Sequence, residues 1–121
     1  MRVKRALAAA LSAAVYVGCG GSSTAESCDA ARNEFDAWRR NRLAEPTALQ
    51  CTVDDDCVIE TLDNACAGDC GTPVAKAARA AIKSDVVAYG NANCAPCTAA
   101  PLACPEYPRY AKCDNGKCAN R

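Results

Sequence analysis

The sequence contains no histidine, and this absence excludes several kinds of active site. Hydrolases built on Ser-His-Asp or Cys-His groups use an imidazole as general base, and many zinc sites use histidine as a ligand. Phosphate-binding glycine loops, HExxH helices and GxSxG turns are also missing. The sequence therefore predicts a protein that is not an enzyme and that binds no metal or other cofactor.

Large apolar side chains are scarce. Phe35 and Trp38 are the only residues of their types, and most of the 50% of residues that count as hydrophobic are alanine and cysteine. Small side chains bury little area, and buried apolar area contributes only about 25 cal/mol per Å2. A domain of this size with such a weak core is predicted to need covalent cross-links.

Basic charge is scarce outside the N-terminus. The chain has 14 basic and 14 acidic residues, and Arg2, Lys4 and Arg5 all precede the first apolar run. The remainder is therefore acidic. Because neutralising phosphates requires a basic surface, this balance argues against a nucleic-acid partner. It also provides no charge attraction to an anionic membrane surface.

Cysteine, in contrast, is abundant, at a density typical of disulfide scaffolds in oxidising compartments. Eleven cysteines are present and Cys19 lies close to the N-terminus, which leaves an even number that can pair fully. The sequence does not fix the pairing, because ten cysteines allow about 945 combinations. The cysteines predicted to form five disulfides are Cys28, Cys51, Cys57, Cys66, Cys70, Cys94, Cys97, Cys104, Cys113 and Cys118.

The N-terminus is laid out like an export signal. Basic residues precede an uncharged apolar run at residues 6–17, and small residues follow it. This run is too short to remain in a bilayer as a spanning helix, which needs about 20 apolar residues. The sequence therefore predicts an exported protein.

The segment Tyr16-Val17-Gly18-Cys19 resembles a lipobox, the motif at which lipoprotein signals are cut before cysteine. The cysteine spacing further on also resembles small cysteine-rich bacterial lipoproteins, whose roles are mostly unassigned. This resemblance implies a signal peptide at 1–18, acylation of Cys19, a flexible tether within 19–25 and a single disulfide-rich domain at 26–121. Two or more acyl chains anchor a protein stably.

Gly20 after the cysteine resembles the pattern of lipoproteins sorted to the outer membrane. The alternative is ordinary secretion. Cleavage after Ala25 would then release a soluble protein that starts at Glu26.

Two helices are predicted. Apolar residues recur at steps of three and four from Cys28 to Leu43, which indicates one helix over 24–44 with Phe35 and Trp38 on its inner face. A second, alanine-rich helix is expected over 73–89 and should pack closely against the first. Its predicted boundaries are Thr72 as N-cap, Pro73 at the first helical position and Gly90 as terminator.

The β-structure predicted is small. Residues 57–62 are rich enough in β-branched side chains for one strand. Asn115-Gly116 indicates a tight hairpin over 110–119, which would place Cys113 opposite Cys118. The predicted fold class is thus small disulfide-rich α+β, with two packed helices, a short strand and a C-terminal hairpin. Cys28 should tie the first helix to a cysteine-rich loop.

Three segments could carry chemistry, but each has a simpler interpretation. Cys94 and Cys97 have the CxxC spacing of thiol oxidoreductases but lack the usual preceding strand and following helix. With Cys66 and Cys70 they could form a four-thiolate zinc site, although such thiols are normally oxidised to disulfides in an exported chain. Residues 54–56 are three aspartates, which suit an acidic turn better than a calcium loop.

Two functions remain open. The first is a non-catalytic module on the membrane, anchored by the N-terminal lipid, which binds an unknown envelope or extracellular protein. The second is a protease inhibitor with a reactive loop in 98–112, formed by Tyr107, Arg109 and Tyr110, where Arg109 would fill the specificity pocket of a trypsin-like enzyme. The arginines at 39, 40 and 42 favour a solvated helix end over a contact site.

Overall fold

The computed structural model describes residues 24–106 and 109–121. The predicted signal peptide, Cys19 and Tyr107 lie outside these residues. The fold is small, disulfide-rich α+β, as predicted, and it has two helices and two antiparallel strand pairs. The elements in chain order are α1 (Thr24–Leu43), β1 (Cys57–Glu60), β2 (Thr72–Ala75), α2 (Arg79–Asn93), β3 (Ala111–Asp114) and β4 (Lys117–Asn120).

Helix α1 confirms the predicted span and inner face. It begins at Thr24, so the last two residues assigned to the tether belong to the helix. Phe35 is fully buried, and the ring of Trp38 lies 4.7 Å from the ring of Tyr89 on α2. Phe35 also contacts Tyr89, with 5.5 Å between ring centroids. An aromatic cluster therefore joins the two helices, because the small side chains of α2 allow a close approach.

The second helix was predicted six residues too early. Thr72 and Pro73 do not start a helix, because they lie in β2, which pairs with β1 in the register Glu60↔Thr72 and Cys57↔Ala75. This pairing buries Val74 completely, and burial decides the structure over the local helix signal. A proline can be accommodated in such a short two-stranded pair because one side of each strand has no ladder partner.

Gly90 does not terminate α2, which was also a wrong prediction. The helix continues to Asn93, and Gly90 is a buried residue within it. A Cβ atom at this position would lie 2.7 Å from the Cβ of Asn64. The glycine therefore serves a close approach between α2 and the loop that joins β1 to β2.

The predicted strand at 57–62 ends at Glu60, and its partner β2 was not predicted. The C-terminal hairpin is confirmed, with Cys113 directly opposite Cys118. Asn115 and Gly116 have φ values of 50° and 79°, the left-handed conformation that a two-residue hairpin turn requires.

Residues 48–51 connect the two strand pairs. The Ala75 amide donates to the Ala48 carbonyl at 2.9 Å, and the Cys118 amide donates to the Leu49 carbonyl at 2.7 Å. The Cys51 amide in turn donates to the Gly116 carbonyl at 3.1 Å. The hairpin is therefore held beside β2 by backbone hydrogen bonds as well as by disulfides.

Five disulfides join the ten cysteines of the described residues. Each closes a long loop of the chain, and by the chain-entropy argument such a closure contributes about 4 kcal/mol to stability. Cys28 ties α1 to the segment after α2, as predicted. The pairs are Cys28–Cys97, Cys51–Cys113, Cys57–Cys118, Cys66–Cys94 and Cys70–Cys104.

Candidate functional site

A groove at the C-terminal end of α1 has the size and mixed lining of a small-ligand site. We call it the Arg42 groove. Its volume is about 540 Å3, which falls in the range of small-molecule sites. Its lining combines alanines that precede and begin α2 with polar residues from the loop after α1. The alanines are Ala75, Ala77, Ala78 and Ala81, and the polar residues are Thr47, Gln50 and Thr52.

Arg42 lines this groove. Its Nε donates to the Asp85 carboxylate at 2.8 Å, and its Nη1 donates to the Glu45 carboxylate at 2.8 Å. Only 14% of the Arg42 side chain is exposed. Because Nε and Nη1 each have a carboxylate partner, Arg42 ties α1 to α2 and to the loop after α1.

The disulfide Cys51–Cys113 joins the lining of the groove to the hairpin. Cys51 lines the groove and is 6% exposed, and its partner Cys113 lies on β3. A wall that is covalently joined to the hairpin loses little conformational entropy when a ligand binds. The groove is therefore preorganised, and its lining offers both apolar contacts and amide and hydroxyl groups.

The triple aspartate forms a 3-10 turn, Asp54–Asp56, beside the groove. The Asp56 carboxylate accepts hydrogen bonds from the Thr52 amide, the Thr52 hydroxyl and the Val53 amide, at 2.8, 2.8 and 3.1 Å. These bonds from Thr52 and Val53 lower the pKa of Asp56 below its ordinary value. Asp54 accepts from the Cys113 amide at 2.8 Å. Two of the three carboxylates thus shape the turn and dock the hairpin.

Three cysteine sulfurs lie close together near this turn. The Sγ atoms of Cys51, Cys57 and Cys118 lie within 4.8 Å of one another. They belong to two disulfides, Cys51–Cys113 and Cys57–Cys118, so none is a free thiolate that could bind a metal. The cluster is the sulfur core of the hairpin region.

The CxxC pair is divided between two bonds. Cys94 pairs with Cys66, and Cys97 pairs with Cys28. Cys70, the remaining member of the four-thiolate zinc alternative, pairs with Cys104. The simpler interpretation, that these residues are structural disulfide partners, is confirmed by this arrangement.

The arginines near the end of α1 were predicted to form a solvated helix end, and for two of them this is wrong. The side chain of Arg39 is 21% exposed and lies over the Phe35 ring at 5.1 Å. It donates to the Asp36 carboxylate at 2.9 Å and to the Leu62 carbonyl at 3.3 Å. Arg39 and Arg42 therefore have structural roles. Their methylene groups cover the core, and their guanidinium groups donate hydrogen bonds to carboxylate and carbonyl oxygens. Only Arg40 is exposed as expected.

The residues of the hypothetical inhibitory loop are only partly available. Arg109 is partly buried, and its Nη1 donates to the Gly71 carbonyl at 3.0 Å. Tyr110 is 59% exposed, and its carbonyl accepts from the Arg121 amide at 2.8 Å. The guanidinium that would enter a protease is thus bound within the domain itself.

An ion cluster on α2 was not predicted. Glu60 at the end of β1 pairs with Arg79 and Lys83, which lie one turn apart on α2. Burial raises the pKa of Glu60, but the hydrogen bonds and charges of Arg79 and Lys83 outweigh it, and the pKa lies below its ordinary value. The i, i+4 spacing of the cations was visible in the sequence, but their partner required the tertiary structure.

The chain matches no protein-family model, no curated protein and no solved structure. Among the described residues, no helix is long and apolar enough to cross a membrane.

Proposed function

We propose that this chain is a lipid-anchored envelope protein with a non-catalytic, disulfide-stapled domain that binds another molecule. The observation that carries the proposal is the complete pairing of the ten described cysteines in five disulfides. Cys19, the eleventh cysteine, has no partner among them. An acylated cysteine needs none, and the lipobox-like sequence around Cys19 supports this assignment.

The Arg42 groove is the binding surface in this proposal. Its volume suits a small molecule or a side chain of a partner, and its alanines offer apolar contact. Its polar residues Thr47, Gln50 and Thr52 provide donors and acceptors that would orient the bound group. A partner in the envelope or outside the cell would meet the groove at the opposite end of α1 from the lipid.

The protease-inhibitor alternative has less support. A specificity residue must project freely into the protease, whereas the Arg109 guanidinium donates to the Gly71 carbonyl. We expect no slowing of trypsin by the oxidised protein, measured against a chromogenic substrate. Inhibition that disappears in Arg109→Ala would instead establish the inhibitor.

Intact-mass spectrometry of the protein from its own membrane fraction tests the anchoring. The expected mass corresponds to a chain that starts at Cys19 and carries acyl chains, with ten thiols that react with alkylating agent only after reduction. The matched variant Cys19→Ser should lose both the acyl mass and the membrane fractionation. A chain that starts at Glu26, or an unmodified Cys19 thiol, contradicts the proposal.

Site-specific photo-crosslinking in intact cells tests the binding surface. A photoreactive residue at Ala81, which is exposed in the groove, should yield a discrete adduct. The same residue at Ala88, exposed on the same helix, is the control. Equal adduct yields at Ala81 and Ala88 would remove the groove from the proposal.

A further inference from the structure

Two disulfides lie side by side in the sulfur core of the hairpin region. The Cys51 Sγ, which is bonded to Cys113, lies within 4.8 Å of both sulfur atoms of the Cys57–Cys118 bond. Among the described residues, no other group of three cysteine sulfurs lies as close together. A thiolate exchanges with a disulfide by attacking one of its sulfur atoms. A thiolate formed at Cys51 would therefore start beside a disulfide that it can attack.

The register of the hairpin allows a different bond between its own two cysteines. Cys113 and Cys118 lie directly opposite each other, so their side chains share one face. The Cys118 amide donates to the Leu49 carbonyl at 2.7 Å, and the Cys113 amide donates to a carboxylate oxygen of Asp54 at 2.8 Å. Both amides thus point out of the hairpin, which makes this a non-hydrogen-bonded pair. The Cα separation of about 4.5 Å that is typical of such a pair falls within the range that a disulfide spans.

Burial decides which of the four sulfur atoms an external thiol reaches. The three clustered cysteines are between 4% and 8% exposed, whereas Cys113 is only partly buried. Access is one of the factors that set the rate of thiol–disulfide exchange. Attack from solvent therefore falls on Cys113, and the electron pair of the broken bond goes to Cys51.

We propose that these four cysteines form a thiol–disulfide exchange centre that interconverts two pairings of the same chain. The first pairing is Cys51–Cys113 with Cys57–Cys118, and the second is Cys51–Cys57 with Cys113–Cys118. The substrate from solution is a thiol. This proposal depends neither on the lipid anchor nor on the ligand of the Arg42 groove.

The exchange proceeds in three displacements that conserve atoms and electrons. An external thiolate attacks the Cys113 Sγ, forms a mixed disulfide there and leaves Cys51 as a thiolate. The Cys51 thiolate attacks the Cys57 Sγ, forms the Cys51–Cys57 bond and displaces the Cys118 thiolate. The Cys118 thiolate then attacks the Cys113 Sγ and expels the external thiolate. The thiol is regenerated, so the exchange consumes no oxidant and no reductant.

The second pairing releases the hairpin from covalent attachment to the strands beside it. The two new bonds close short loops, which cost less chain entropy than the long loops of the first pairing. The hairpin is then held beside β2 by noncovalent contacts, which include the hydrogen bonds of residues 48–51. Because Cys51 lines the Arg42 groove, the exchange changes the lining of the groove together with the attachment of the hairpin.

Peptide mapping without reduction tests the exchange. The full oxidised chain is incubated with sub-stoichiometric glutathione, quenched with N-ethylmaleimide, denatured and digested with trypsin. Because a lysine precedes both Cys113 and Cys118, trypsin places them on separate peptides, 113–117 and 118–121. The first pairing links each peptide to 43–76, whereas the second links the two short peptides to each other. We expect this short pair to rise several-fold above the thiol-free sample, with no rise in total free thiol.

Two outcomes of this map overturn the proposal. One is a short pair that stays at the level of the thiol-free sample. The other is a short pair that rises no more than non-native pairs that contain Cys97 or Cys104, because this would indicate general disulfide scrambling.

A serine substitution should start the same exchange without an external thiol. Cys113→Ser leaves a Cys51 thiol beside the Cys57–Cys118 bond, and its thiolate should displace the Cys118 thiolate. We therefore expect N-ethylmaleimide on peptide 118–121 in this variant. The native chain, which has no thiol at these positions, should carry none there.

Cys97→Ser is the matched control for this variant. It frees Cys28, whose sulfur belongs to no cluster of three among the described residues. N-ethylmaleimide should therefore stay on Cys28 in the control. Label confined to peptide 43–76 in Cys113→Ser would show that the neighbouring disulfides do not exchange, and it would overturn the proposal.

Discussion

The two halves of the domain are held together by different means. The helical half contains the large fully buried side chains, including Phe35, Leu62, Ile82 and Val86. The hairpin half has a core of Cys51, Cys57, Cys118 and Ala75. Packing of large apolar side chains stabilises the helical half, whereas disulfide bonds stabilise the hairpin half.

This difference follows from composition. The few large apolar residues are concentrated on the inner faces of α1 and α2 and next to them, so the hairpin has almost none to bury. Two disulfides, Cys51–Cys113 and Cys57–Cys118, join β3 and β4 to the remainder of the domain instead. A short hairpin with no apolar face is marginal in water. Covalent closure therefore replaces the missing hydrophobic free energy in the hairpin half.

Removing the largest buried side chain should have the largest effect. Phe35→Ala deletes a fully buried ring that contacts Trp38, Tyr89 and Arg39. We expect the free energy of unfolding to fall by about 3–5 kcal/mol, measured by urea unfolding under oxidising conditions. Val87→Ala, a truncation of a residue that is 47% exposed, is the control. A loss below about 1 kcal/mol for Phe35→Ala would show that disulfides hold the helical half too.

The hairpin half should depend on its sulfur core. The double variant Cys57→Ala/Cys118→Ala should lower the free energy of unfolding by about 2–4 kcal/mol. Cys28→Ala/Cys97→Ala is the matched control, because the two disulfides close loops of similar length. The sequence separation is 69 for Cys28–Cys97 and 61 for Cys57–Cys118. Chain entropy predicts nearly equal losses for the two, so a larger loss at Cys57–Cys118 measures the packing of buried sulfur. Equal losses would mean that the sulfur cluster acts through chain entropy alone.

Added volume should be tolerated poorly in the helical half. In Gly90→Ala the new Cβ meets the Cβ of Asn64, whose side chain is fixed by hydrogen bonds to Val86 and Cys66. We expect a net destabilisation of about 1–2 kcal/mol, because overpacking exceeds the gain in helix propensity. Ser84→Ala at an exposed position of α2 should be neutral or slightly stabilising. A thermal melt that places Gly90→Ala above the native protein would contradict close packing here.

The smallest effect concerns Glu60, which joins β1 to α2. Its folded-state pKa lies below the ordinary value of 4.5, so the unfolded state binds the proton more tightly. The contribution to stability is therefore complete above pH 4.5 and is lost as the pH falls through the folded-state pKa. Because Arg79 is 57% exposed, we expect only about 0.5 kcal/mol. Glu60→Gln should flatten the loss of stability below pH 4.5 by that amount, measured as urea midpoints. An unchanged slope would mean that the ion cluster contributes nothing.

Much of the architecture could be predicted from local patterns. The period of apolar residues from Cys28 to Leu43 predicted α1, and Asn115-Gly116 predicted the hairpin turn. The prediction of the start of α2 was wrong, because a local helix signal competed with pairing to a strand that is distant in the sequence. Thr72-Pro73 has the features of a helix start, but pairing with β1 and the burial of Val74 made it a strand.

The candidate site was less predictable, because its parts are distant in the sequence. The Arg42 groove combines the end of α1, the following loop and the start of α2. Arg42 was assigned to a solvated helix end, since nothing nearby in the sequence identifies Asp85 as its partner. The acidic turn at 54–56 was predicted, but its hydrogen bond to the hairpin was not.

The sequence by itself determined that this is a small disulfide-rich α+β domain with paired cysteines, because composition and short-range periodicity depend only on neighbouring residues. The tertiary structure alone decided which cysteines pair, where α2 begins, and which partners Arg39 and Arg42 bind. Each of these depends on contacts between segments tens of residues apart. The free energy of such contacts, through burial and loop closure, exceeds the small local preferences that a sequence displays.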